Sequence, residues 1–129
     1  MSADLVWKLV NQSHSKLKKQ KSIGVTFSAE KGNVANINTR AFSGYSPEAV
    51  DVTVFRNRVV VSVADKDSIN KPATRFNRTS LKPEAQLSSK AAIAATLAAG
   101  VNPVVARMAA ARADRLSRHG VHKVKRSKK

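Results

Sequence analysis

Four arginines supply the clearest chemistry in this chain. Arg107, Arg112, Arg115 and Arg118 fall within about 140° of arc on a helical wheel. A guanidinium group is a planar fork that can donate two parallel bonds to one phosphate, so such a face suits a polyanion. Asp114 is the only acid in that stretch, which leaves the arginines short of partners within the helix. Val105, Ala109, Ala113 and Leu116 make the adjoining face small and apolar, fit to dock on protein. The spacing predicts a helix that packs by one side and offers cations from the other.

Catalytic chemistry has no comparable set. His14, His119 and His122 are the three histidines, and His119 and His122 have no nearby carboxylate or thiol to complete a metal site. No carboxylate pair sits in surroundings suited to general acid–base work. The five glycines are scattered, so no phosphate-cradling loop is spelled out. Cysteine is absent, which excludes disulfides and thiolate metal sites. Six aromatic residues do not spell the aromatic signature of an RNA-recognition sheet. The reading expects no enzyme, no cofactor, no metal and no small-molecule substrate.

Charge divides the 129 residues unevenly. Residues 1–70 hold 10 Lys/Arg against 6 Asp/Glu, while residues 71–129 hold 14 against 2, out of a net charge of +16. Such asymmetry points to a dense polyanion as partner. The N-terminal residues lack the basic segment and apolar core of a signal peptide, so an intracellular protein is expected. The weakly polar run at 91–105 is interrupted by Gly100 and Pro103 and is shorter than the ~20 residues of a membrane span, so no membrane partner is expected.

The elements that must position these cations follow in order. Ser2 can cap a short helix over 3–11 with Leu5, Val6, Leu9 and Val10 on one face and Trp7 flanking it, as a core residue or else as a platform for a base. Lys16, Lys18, Lys19 and Lys21 then crowd one segment, either a solvated strand or loop or a phosphate-contacting edge. Ile23, Val25 and Phe27 alternate with smaller or polar residues as in a half-buried strand, and 34–39 is a weaker candidate strand. Val50, Val52 and Val54 alternate with Asp51, Thr53 and Phe55, and Val59, Val61 and Val63 answer them across Arg56-Asn57-Arg58. That is a hairpin, with Asn57 best able to take positive φ and with Arg56 and Arg58 at the tip. The sheet is expected to end at residues 65–68. Pro83 suits the first turn of a helix running to about residue 99, with Gly100 past its end; Asn102 and Pro103 start a second.

The expected architecture is α+β. A small antiparallel sheet with a short N-terminal helix fills 1–70, and a basic junction at 71–82 carries Lys71, Arg75, Arg78 and Lys82. A two-helix RNA-binding arm spans 83–119. A basic tail at 120–129 carries Lys123, Lys125 and Arg126, as an import signal, an RNA-threading segment or both. The arm is expected to become firm only against a charged partner.

Met1-Ser2-Ala3-x-Leu5-x-Trp7, Lys71-Pro72-Ala73-Thr74, Arg78-Thr79, Leu87-Ser88-Ser89 and Arg107-Met108-Ala109-Ala110 occur in that order. Together they resemble the eukaryotic cytosolic large-subunit ribosomal protein twenty-eight family, over residues 1 to about 113. The resemblance implies a non-enzymatic constituent of the large subunit, bound to its ribosomal RNA and to neighbouring ribosomal proteins. It also implies cytoplasmic ribosomes as location, with passage through the nucleolus. One departure is that residues 91–105 carry no Lys or Arg, which leaves open whether the first arm helix meets RNA or protein. Rival readings are a nucleolar assembly factor, which shares the N-terminal domain type, or a basic protein that binds DNA or anionic membrane.

Overall fold

A computed structural model describes residues 2–81 and 85–119. Helix α1 (Ala3–Val10) is followed by strands β1 (Leu17–Gln20), β2 (Val25–Ser28), β3 (Val50–Phe55) and β4 (Arg58–Ala64). A 3-10 turn at Lys66–Ser68 leads to strand β5 (Phe76–Ser80), then to helices α2 (Ala85–Ala98) and α3 (Pro103–His119). The class is α+β, as expected. Pro83 lies outside the described residues.

The valine alternation builds the centre of the fold. β3 and β4 pair antiparallel with Val50 opposite Val63, Val52 opposite Val61 and Val54 opposite Val59, so all six point to one face. Val50, Val52, Val59 and Val61 have no solvent exposure, and each contributes about 1.5–3 kcal/mol through burial. Arg56 (φ 48°) and Asn57 (φ 63°) both take left-handed backbone, the geometry of a tight two-residue turn whose twist matches the strands.

β5 pairs with β4 and gives the sheet the order β3-β4-β5, so the sheet does not end at 65–68. This corrects the expected junction: Phe76–Ser80 within that segment is an edge strand. Its sequence, Phe76-Asn77-Arg78-Thr79-Ser80, is mostly exposed and polar, which suits an edge and hides the strand from hydrophobic periodicity. β1 and β2 form a separate two-stranded sheet, and the candidate strand at 34–39 reduces to one bridge between Phe27 and Ile37.

The two helices close the valine face rather than standing off it. Ala92, Val101, Val105, Ala109 and Ala113 join the valines, Val34 and Leu81 in one buried cluster. Alanine brings α3 close to the sheet, and α2 packs along α3 and also meets β4. The packing therefore runs across residue 70. The link between helices forms as predicted. Gly100 (φ 72°) donates to the Leu97 carbonyl and Val101 to that of Thr96, closing α2, while Asn102 Oδ1 accepts from Val104 N at 2.9 Å to start α3.

α1 is attached more lightly. Ser2 Oγ accepts from Leu5 N, Asp4 binds Arg40 at 2.7 Å, and Asn38 Nδ2 donates to the Asn11 carbonyl at 2.8 Å. None of its residues is buried, with Leu5 48% and Leu9 68% exposed. Trp7 is half-buried rather than core.

Candidate nucleic-acid interface

Residues 29–49 contain no strand, so their buried polar groups need partners from elsewhere. Glu30, buried, provides one: its Oε1 accepts from Asn33 Nδ2 at 3.3 Å and from Gly44 N at 3.0 Å. A Cβ at Gly44 would collide with the Lys31 carbonyl oxygen, so the turn passes only as glycine. Two arginines complete the arrangement. Arg75 Nη2 donates to the carbonyls of Gly44 (2.8 Å) and Ser46 (3.4 Å). Arg112 Nη1 donates to the carbonyls of Asn33 (3.2 Å) and Val34 (2.9 Å) and to Asn36 Oδ1 (3.2 Å). Both were expected on RNA. The structure commits them to the protein's own carbonyls, because an irregular loop without strand partners needs strong donors.

The remaining predicted cations divide between two surfaces. On α3, Arg107, Arg115 and Arg118 stand exposed on the side away from the buried alanines. Arg118 is bonded to Asp114 at 3.1 Å; Arg107 and Arg115 have no acidic partner among the described residues. Lys71 is exposed in the turn before β5, at some remove in sequence from either group.

The second surface is the face of the three-stranded sheet turned away from the helices. The register places Asp51 opposite Ser62 and Ser62 opposite Arg78, Thr53 opposite Val60, and Phe55 opposite Arg58. These side chains point away from the core. Lys31 borders the face and lies over the Phe76 ring, 4.7 Å from its centroid. Arg75 lies over the same ring at 5.6 Å. Arg56 reaches back over Phe55 at 5.2 Å, yet Phe55 remains 60% exposed. Lys18 lines an adjoining hollow of about 590 Å³ with Lys31 and Asp51, while Lys16, Lys19 and Lys21 are exposed around β1. Lys82, Lys123, Lys125 and Arg126 lie outside the described residues.

Lys31 and Phe55 were not among the predicted site residues. The signal for Phe55 was available, since it alternates with buried valines and so had to face outward. Lys31 gave none, because its place depends on how the 29–49 loop folds against β5.

Among the described residues no group of acidic, histidine or cysteine side chains could hold a metal ion, and no helix is long and apolar enough to cross a membrane. Among the described residues Asp4 pairs with Arg40, Glu48 with Lys66 and Asp114 with Arg118, and Glu30 lies 3.9 Å from His14.

Comparison with known proteins supplies the family. The large ribosomal subunit protein eL28 of Caenorhabditis elegans is 34% identical over 82 residues, covering 63% of this chain and 64% of that protein. The protein of the same name from Dictyostelium discoideum is 41% identical over 63 residues, covering 48% of this chain and 46% of that one. The chain thus spans less than two thirds of the length of either relative. A model of the Ribosomal L28e protein family matches residues 5–119, nearly the whole described fold, and the chain belongs to that family.

Proposed function

We propose that this chain is a structural, non-enzymatic constituent of the cytosolic large ribosomal subunit, where it binds and stabilises folded ribosomal RNA. The observation that carries this reading, within the family, is the exposed Arg107–Arg115 ridge on a helix whose opposite side is locked into the core. Guanidinium groups held on a rigid helix lose little freedom when phosphate arrives. Lys16, Lys18, Lys19, Lys21, Arg56, Arg58, Lys71 and Arg78 extend the cationic surface, and Arg118 borders it with its charge partly offset by Asp114. Most such contacts position the protein rather than read sequence, because phosphate carries none. The exposed apolar side of α1, with Leu5 and Leu9, suits a neighbouring ribosomal protein.

Binding of this kind is sensitive to salt. Some six to ten phosphate contacts lose roughly 10³–10⁵ in affinity between 50 and 200 mM salt. Fractionation of lysate containing the tagged protein on sucrose gradients tests the reading. Co-migration with mature large subunits and polysomes, weakened by a high-salt wash, is expected. Confinement to nuclear precursor particles would make it an assembly factor, and absence from every ribosomal fraction would end the reading.

A further inference from the structure

The open face of the three-stranded sheet has features that phosphate binding alone does not explain. A groove of about 450 Å³ runs across it, floored by half-buried Val60 and the Phe55 ring and edged by the hydroxyls of Thr53, Ser62 and Ser80. That volume falls within the range of small-molecule clefts. Cations stand around it: Lys31 and Arg78 line it, and Arg58 lies beside Phe55. Its floor also carries Asp51, a carboxylate only 8% exposed.

We propose that this groove receives an unpaired nucleotide of RNA, its base stacked on Phe55 and its phosphates on the marginal cations. The inference rests on the RNA-binding reading above and names the form of RNA taken at one place.

Three observations select this occupant. Phe55 keeps 60% of its surface exposed at the end of a strand whose Val50 and Val52 are buried, and every base offers a π-face to such a ring. Arg56 already lies over the ring, so an entering base would complete a cation–ring–base stack. The charge pattern fixes the orientation. A carboxylate in the floor repels phosphate from the centre of the groove and accepts N–H donors from a base edge, while Lys31, Arg58 and Arg78 hold the backbone at the margin. A duplex cannot satisfy this arrangement, since its bases are already stacked and paired.

The test uses the full chain with two labelled probes, an eight-nucleotide single-stranded RNA and a blunt RNA duplex, titrated by fluorescence anisotropy at fixed salt. Phe55→Ala should weaken the single strand by roughly 5- to 150-fold, the loss of one base–aromatic stack, and leave duplex binding unchanged. Phe55→Trp should retain single-strand affinity. An abasic oligomer of equal length should bind the unaltered protein as weakly as the single strand binds Phe55→Ala. Because Phe55 lies outside the core, matched thermal melts are expected for all variants. Equal binding of abasic and ordinary strands, or a Phe55→Ala effect under twofold, would overturn the stacking site while salt-sensitive duplex binding kept the broader reading intact. Binding of neither probe would remove both. Photo-crosslinking of position 55 to a protein instead of a nucleotide in assembled particles would give the face to a protein and overturn the proposal.

Discussion

Arg112 and Arg115 lie three positions apart on one helix and do different work. Arg112 reaches across 79 and 78 residues of sequence to the carbonyls of Asn33 and Val34, both buried residues. Hydrogen bonds from a charged donor are worth about 1.5–3 kcal/mol, and truncation would leave those carbonyls short of a donor. Arg112→Ala should therefore lower unfolding free energy by roughly that amount, read from urea denaturation. Arg115 is exposed and has no acidic partner among the described residues, so Arg115→Ala should leave the denaturation midpoint unmoved. It should instead reduce the slope of log affinity against log salt for duplex RNA by about 1, the signature of one lost phosphate contact. A stability loss at Arg115, or a salt-slope change at Arg112 without one, would reverse these assignments. On the helical wheel Arg112 lies about 20° from Val105, at the border of the apolar face, and Arg115 about 80° from it, but that spacing does not name the partner. The difference is made by a loop whose position no local pattern announces.

The hairpin shows the opposite case at the scale of an element, because nearly all of it was legible. Alternation gave both strands, but the link is two residues rather than three, because Arg58 pairs with Phe55 and belongs to the second strand. The turn chemistry also marked Asn57 for positive φ. Less expected is that Arg56 shares the left-handed region at φ 48°, where Gly or Asn would sit with less strain. An arginine retained there fits a tip that reaches over Phe55 and toward an anion. Arg56→Asn should stabilise the fold by about 0.5–1 kcal/mol through the better turn, while weakening RNA binding. Unchanged stability would mean the turn is relaxed as it stands, and unchanged binding would take Arg56 off the interface. β5 escaped notice for a related physical reason: an edge strand open to solvent needs no apolar alternation, so its polar sequence reads as a linker. α1 misled in the other direction. Its apolar stripe implied a buried helix, whereas stripe and burial agree only when something within the chain covers the stripe.

Charge and packing divide the whole molecule in different places. The basic excess begins near residue 71, which makes the later half look like an appendage. Yet Leu81, Ala92, Val101, Val105, Ala109 and Ala113 from that half complete the core that the valines of β3 and β4 begin. A chain ending at residue 70 would lose β5 and both helices together. Val50, Val52, Val59 and Val61 would then face water, forfeiting roughly 6–12 kcal/mol of burial by the usual allowance per side chain. That matches the entire net stability of a typical domain, about 5–15 kcal/mol. The 1–70 fragment should therefore give collapsed amide dispersion in a proton–nitrogen correlation spectrum, whereas residues 1–119 should give the dispersed spectrum of a folded protein without any RNA present. Dispersed signals from the fragment would restore an independent N-terminal unit. They would also mean that the arginine ridge is ordered by its ligand. If the fragment is unfolded and the longer chain folded, the ridge stands in place before RNA arrives, and the ordering cost of its helix is met by the valine core.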